Sequence, residues 1–373
     1  MKLAFFYGNL LRGGAQRVMS ELANQFTAWG DEVILLTLDK GSCEYKLDPR
    51  VRVQGLDVAG DSANKLESLT RLAKTLKALR SWERRERPDA VICFSTHLSF
   101  QLSLALSFCS DRCRIIASER ANPQKREREP LAALEQRSLE KLDGFIFQTQ
   151  RVSLLFPESL RNKGRVIHNG LFSSDIPKTV TEYSERDSRS ICAMGRLDYQ
   201  KAYDTMIRAF ALFAREHPEH TLNIYGRGRD GAKEKLQALA RELGVGDRVA
   251  FHGNRPDVLN LIKDAGMFLM TSRYEGMPNA LIEAMACGLP CVCTDCDFGP
   301  AELIEDGVSG LLAPVDEPEA IAAAMARIAD EPGLGEKLSI GALKIRQTHS
   351  RDEICRQYHN YIEEIVGKKK VET

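Results

Sequence analysis

Residues 272–290 read SRYEGMPNALIEAMACGLP and hold two carboxylates, Glu275 and Glu283, eight positions apart. Gly276 and Pro278 lie between them, ahead of a run of strong helix formers. Inside a helix Gly and Pro cost roughly 1 and 3 kcal/mol, whereas Pro is tolerated at the first helical position. The spacing therefore predicts a helix opening near Pro278–Asn279, in the loop that leaves the strand GMFLMTS. The amides of Gly276, Met277, Asn279 and Leu281 would face out of its N-terminus, an end that attracts anions by about 0.3–2 kcal/mol. Glu275 would sit at the mouth and Glu283 one to two turns along, each able to accept hydrogen bonds from hydroxyls. A competing reading makes Ser272 and Glu275 a capping box, but it would force Gly276, Met277 and Pro278 into the first turn.

Two carboxylates cannot hold an anion without cations. In MGRLDYQKAYD a strand ends at Gly195, and Arg196 and Lys201 follow. Arginine offers a planar fork to phosphate oxygens and lysine a compact charge. The third piece is Gly13-Gly14 in LLRGGAQRV, between the first strand and the first helix, where the backbone can approach a ligand closely. Taken singly, the Arg and Lys would read as solvated loop charges and the Gly pair as an ordinary turn. Together they describe a ligand with hydroxyls at both ends and negative charge between, the form of a nucleoside diphosphate sugar.

Positioning these residues requires strands that end where the loops begin. LAFFYG, EVILLTL, DAVICFS, RIIAS and GFIFQT read as strands in the first half, and SICAMG, HTLNIYG, RVAFHG, GMFLMTS, PCVCTD and SGLLAP in the second. Helical patterns such as AQRVMSELANQFTAWG, TMIRAFALFAREH and GAKEKLQALARELG alternate with them, the signature of βαβ units and parallel sheets. Polar, aperiodic sequence at 169–188 reads as a linker between domains at 1–168 and 189–350, and residues 351–373 as a helix able to cross back over the first. The expected fold class is α/β, two Rossmann-like doubly wound sheets facing across a cleft, with ligands beyond the carboxyl ends of the strands.

Composition agrees with a soluble enzyme: 43% hydrophobic and 28% charged residues, with a formal net charge of zero. The charge is uneven, because residues 1–175 carry 27 Lys and Arg against 21 Asp and Glu, and the remainder 25 against 31. A mildly basic first half facing an acidic second half points to an anionic partner for the first. The N-terminus lacks the apolar run of a secretory signal, and the most apolar stretch, HLSFQLSLALSF, is broken by Gln101 and serines. The reading is therefore a cytoplasmic protein. Ten cysteines lie in apolar runs, as in a reducing compartment; Cys287, Cys291, Cys293 and Cys296 form a tight group, but Cys291 and Cys293 alternate along an apparent strand, so thiols two apart share one face and cannot wrap a zinc tetrahedron.

These residues make the chain resemble glycosyltransferase family 4, the retaining enzymes of the GT-B fold. The resemblance spans nearly the whole length through GGAQR, Asn169-Gly170, GRL with its following QK, FHGNRPDV and EGMPNALIEAMACGLPCVCTD. The last is the most specific, with the family's Glu-x7-Glu spacing. The resemblance implies that Glu275, with Gly276, Met277, Pro278, Asn279 and Leu281, binds the donor sugar, and that Glu283 binds the ribose. Arg196 and Lys201 would neutralise the departing pyrophosphate, giving Arg196, Lys201 and Glu275 the catalytic roles. Gly14 and Gln16 would meet the phosphate end and Asn254 the base. It also implies a UDP-sugar donor, no metal or other cofactor, and a glycan acceptor on a polyprenyl diphosphate carrier. Where the family carries a histidine after the strand RIIAS, this chain has Ser118-Glu119-Arg120. Glu119, Arg120 or His97 is then the polar contact to sugar or acceptor. A non-hydrolysing sugar-nucleotide epimerase on the same fold is the alternative, and a pure binding protein a more distant one.

Two further patterns read as decoys. Gly226-x-Gly228-x-x-Gly231 matches a dinucleotide fingerprint, yet the next strand ends FHGN without an acid for the ribose. Asp295-Cys-Asp297 spells a metal-binding DxD but follows a late strand, where it reads as a turn. Residues 65–87 place Leu66, Leu69, Leu72, Leu76 and Leu79 at helical spacing among eight Lys and Arg and three Glu. Such a helix suits peripheral contact with an anionic membrane, or simply packs its leucines inward. It lacks the repeated aromatic residues that stack on bases, which argues against nucleic acid.

Overall fold

A computed structural model describes the chain except residues 12, 61–64, 108, 110, 120–137, 174, 230 and 369–373. Its strands are β1 Lys2–Tyr7, β2 Glu32–Thr37, β3 Arg52–Gly55, β4 Ala90–Cys93, β5 Arg114–Ser118, β6 Gly144–Phe147 and β7 Gly164–Val166 in one sheet. A second sheet holds β8 Asp187–Met194, β9 Thr221–Tyr225, β10 Val249–Gly253, β11 Ala265–Met270, β12 Cys291–Thr294 and β13 Leu311–Ala313. Every pairing is parallel.

The first sheet runs β3-β2-β1-β4-β5-β6-β7 and the second β10-β9-β8-β11-β12-β13. Both orders reverse direction at one place, between β1 and β4 (Leu3 opposite Ala90) and between β8 and β11 (Met267 opposite Ile191). At such a switch point the loops from neighbouring strands diverge and leave a crevice beyond the carboxyl ends. The GG turn and His97 follow β1 and β4, while Arg196, Lys201 and the EGMPN loop follow β8 and β11.

The chain divides into one unit of Met1–Phe172 with Arg351–Thr373 and another of Ser173–Ser350. The helix Arg351–Gly367 thus packs with the first unit, burying Ile354, Tyr358, Tyr361, Ile362 and Ile365 in its core. Tyr361 Oη accepts from the Phe145 amide at 2.9 Å. A Cβ on Gly144 would lie 2.7 Å from that oxygen, so the glycine leaves the tyrosine its place. The segment read as a linker is shared out. Phe172 joins the first core, whereas the buried Arg186 donates to the carbonyls of Thr181, Lys263 and Cys287 in the second.

Both edge strands β3 and β7 and the helix Pro318–Asp330 lie outside the sequence reading. The edge strands are short and half exposed, so they carry no apolar run to notice. In the helix Lys65–Glu86 the leucine stripe divides: Leu79 is buried, Leu72 and Leu76 are half-buried, and Leu69 is 64% exposed. Its C-terminal half packs inward through Thr75, Leu79, Trp82 and Glu83, as an ordinary surface helix does. The Leu66 side chain lies outside the described residues. No helix among the described residues is long and apolar enough to cross a membrane.

Candidate functional site

The helix after β11 spans Asn279–Ala286, with Pro278 as an extended cap (φ −77°, ψ 100°). Gly276, Met277 and Pro278 therefore stay outside the first turn, and the capping-box helix does not form. The internal ladder begins where the Leu281 and Ile282 amides donate to the Pro278 carbonyl at 3.1 and 3.2 Å. Amides ahead of that point have no acceptor within the helix itself. The loop is braced from the side by Phe298-Gly299, since a Cβ on Gly299 would lie 2.5 Å from the Gly276 carbonyl. Leu281 faces the core with its side chain, and Met277 is also buried.

Glu275 is 6% exposed, and its carboxylate meets Lys201 Nζ at 2.6 Å and Ser272 Oγ at 2.6 Å, both on Oε1. Gln200 Nε2 donates to the Tyr274 carbonyl at 3.1 Å and reaches Glu275 Oε2 at 3.4 Å. A buried carboxylate needs this compensation, because desolvation outweighs a poorly made ion pair. The pair lies within one unit, so the cation and the acid expected to serve different parts of a ligand are bonded to each other here. Glu283 is on the same short helix and also covered, at 9% exposure. Arg196 differs in kind. Its side chain is 72% exposed, 3.3 Å from Asp198 and 3.2 Å from Gln200 Oε1.

Lys201 is held by its backbone as firmly as by its ammonium group. Its amide donates to the Asp198 carboxylate at 3.1 Å, and Thr271 Oγ1 bonds the carbonyls of Lys201 and Ala202 at 3.2 and 3.0 Å. Ala202, fully buried, takes a left-handed conformation (φ 48°, ψ 48°) to turn the chain into the helix Tyr203–Phe213. Burial, with Asp198 and Glu275 nearby, pushes the Tyr203 hydroxyl well above its usual range and keeps it neutral. Gly195 leaves room for this turn, because a Cβ there would sit 3.3 Å from both Lys201 Cε and Tyr203 Oη.

Arg273 ties the two loops together, and nothing in the sequence singled it out. Its Nη2 bonds Asp204 at 2.8 Å, its Nε bonds Asp316 at 2.9 Å, and its Nη1 donates to the Tyr199 carbonyl at 2.9 Å. The guanidinium also lies 4.3 Å from the centre of the exposed Tyr199 ring. Burial lowers its pKa, but the two aspartates outweigh that and raise it, so the charge is fixed. Asp198 and Thr271 are further contributors that sequence reasoning missed, and Ser272 and Gln200, noted only as a capping candidate and as part of a motif, bond the Glu275 carboxylate directly. The only signal for Asp198 and Thr271 was a cluster of polar residues at strand ends.

The remaining candidates lie elsewhere. Asn254 is exposed beyond the outer strand β10, where the Gly253 carbonyl accepts from Gly226 N at 2.8 Å. In the first unit the exposed GG turn is gripped by Tyr45, whose hydroxyl accepts from Gly13 N at 2.7 Å and donates to Gly13 O at 2.8 Å. Gln16 folds back toward Asn9 Oδ1 at 3.4 Å. Glu119 is buried at 3% exposure and accepts from Thr96 Oγ1 at 2.7 Å, next to His97, whose Nε2 is 2.9 Å from Gln101. Arg120 lies outside the described residues.

The decoys have structural explanations. A Cβ on Gly226 (φ 153°) would fall 1.7 Å from the Gly195 carbonyl, so the glycine lets two loops touch. Gly228 pairs with Leu197 in the same contact, and Gly231 is a left-handed helix cap. Asp297 bridges to Tyr274 as a turn residue. The four clustered cysteines are buried core residues, and burial pushes the Cys287 thiol up to about 11.

Residues 12–172 match the family described as Glycosyltransferase Family 4, and residues 179–344 match Glycosyl transferases group 1. An uncharacterized glycosyltransferase of Haemophilus influenzae is 22% identical over 363 residues, covering 96% of this chain and 98% of its own. A Campylobacter jejuni N-acetylgalactosamine-N,N'-diacetylbacillosaminyl-diphospho-undecaprenol 4-alpha-N-acetylgalactosaminyltransferase is 25% identical over 330 residues, 84% of this chain and 86% of its own. Among solved structures, Anabaena HepE in complex with UDP superposes with a TM-score of 0.79 at 18% identity, over 98% of this chain and all of that one.

Proposed function

We propose that this chain, a glycosyltransferase matched by the family 4 model over residues 12–172 and by the group 1 model over residues 179–344, moves a hexose or N-acetylhexosamine from a UDP-sugar to a lipid-linked glycan, with retention and without a metal. One observation carries the reading: Lys201 and Glu275 meet at 2.6 Å at the switch point of the second sheet, against the N-terminus of the helix that bears Glu283. A diphosphate entering there competes for the Lys201 ammonium and releases the Glu275 carboxylate to accept from sugar hydroxyls, while Glu283 takes those of the ribose. As the bond between the anomeric carbon and the diphosphate oxygen breaks, negative charge gathers on the leaving group. Lys201, pre-set and half-buried, stabilises it, with the exposed Arg196 closing over the outer oxygens.

The acceptor class is supported by the Campylobacter relative, whose name specifies a diphospho-undecaprenol substrate. Peripheral membrane contact at the cytoplasmic face is supported by the exposed Leu69 on a helix that also exposes Lys74, Lys77, Arg84 and Arg85. The test is incubation with radiolabelled UDP-sugars, with and without lipid extract. Label moving into the lipid fraction only when acceptor is present supports the transferase. An epimerised nucleotide sugar formed without acceptor would overturn it.

A further inference from the structure

We propose that Arg273 is the positioning residue of this site, its guanidinium setting where the Lys201 ammonium stands; the proposal rests on the reading of Lys201 as the diphosphate clamp. Arg273 fastens both flanks of that lysine. Its side chain, 12% exposed, holds the Tyr199 carbonyl two residues before Lys201 and the Asp204 carboxylate three residues after it. Its backbone amide adds a bond to the Gln200 carbonyl at 2.8 Å. Asp316, from the loop after β13, completes the grip at 2.9 Å. Segment 199–204 contains a left-handed alanine and would otherwise relax, so one planar group fixes its shape from both ends. The three guanidinium nitrogens bond groups other than Glu275, so Arg273 acts on the ligand through Lys201. Lysine at 273 keeps the charge but lacks the fork needed to span Tyr199, Asp204 and Asp316 together.

The experiment is a double-mutant cycle of Arg273→Lys with Lys201→Ala, read as the dissociation constant for UDP alongside the unliganded thermal midpoint. Arg273→Lys alone weakens UDP binding by about tenfold or more, since sub-ångström misplacement of a binding group is costly. In the Lys201→Ala background it adds less than about twofold, because the group it positions is gone. Asp316→Asn, at a half-exposed carboxylate, gives a smaller loss with the same dependence on Lys201 and covers the case in which Arg273→Lys folds poorly. Unchanged UDP affinity in Arg273→Lys, whatever its thermal midpoint, overturns the proposal as a merely structural role. Losses that multiply in the double variant overturn it too, since Arg273 then acts independently. Wild-type affinity in Lys201→Ala alone is a separate failure, that of the diphosphate reading itself.

Discussion

Ala202 carries the local strain of the site, a non-glycine residue at φ 48° with no exposed surface. A left-handed alanine costs roughly 1 kcal/mol, which glycine would relieve while giving up a buried methyl and loosening the unfolded chain. Ala202→Gly is therefore expected to stay within about 1 kcal/mol of wild type in urea denaturation. Ala202→Val, β-branched and overpacked at the same position, loses about 2–3 kcal/mol. At this scale the sequence offered candidates for the chemistry, because Arg196, Lys201 and Glu275 stand just beyond apolar strands and Glu283 on the helix that follows one. It could not show that Lys201 and Glu275, 74 positions apart, bond to each other. Arg273 was invisible for the same reason, since its partners Asp204, at the start of the helix Tyr203–Phe213, and Asp316, in the loop after β13, are distant in sequence.

At the scale of elements, the two loops that carry the cations and Gly226 touch so closely that substitution is diagnostic. Gly226→Ala must move a backbone carbonyl 1.7 Å from the new Cβ, and is expected to lose about 2–4 kcal/mol and weaken UDP binding. Gly231→Ala meets no atom within 4 Å and costs only the left-handed backbone, about 1 kcal/mol, with UDP binding intact. A dinucleotide fingerprint would make both glycines ligand contacts, so the contrast separates the readings. The helix Lys65–Glu86 supplies an acid-sensitive joint. Burial pushes the Glu86 carboxyl up, but hydrogen bonds from Gln54, Lys2, Arg52 and Arg85 outweigh this and hold it at about 2. A carboxyl depressed in the folded state stabilises above its unfolded value and loses that contribution as pH falls through the folded one. The thermal midpoint of Glu86→Gln should thus lie below wild type at pH 7, with the gap closing between about pH 4 and pH 2. Buried strands were legible as continuous apolar runs. The edges β3 and β7 were not, because an edge strand need not be apolar on both faces.

For the whole molecule, the doubly wound architecture followed from alternating strand and helix patterns, and the order of strands then placed the candidate residues at the switch points. The last helix is an integral part of the first unit, so truncation after Ser350 removes Ile354, Tyr358, Tyr361 and Ile362 from that core and uncovers the residues they pack against. Calorimetry of the truncated chain should show the first unit's transition lost or lowered by more than about 10 °C, with the second unit's near its original temperature. Whether a nucleoside diphosphate sits on the second sheet between Lys201 and Glu283 is decided by thermal unfolding with UDP. At 100 times its dissociation constant, UDP should stabilise wild type by about 2.7 kcal/mol. Lys201→Ala and Glu283→Ala should remain folded and show no such shift, whereas a wild-type shift in both would contradict the account.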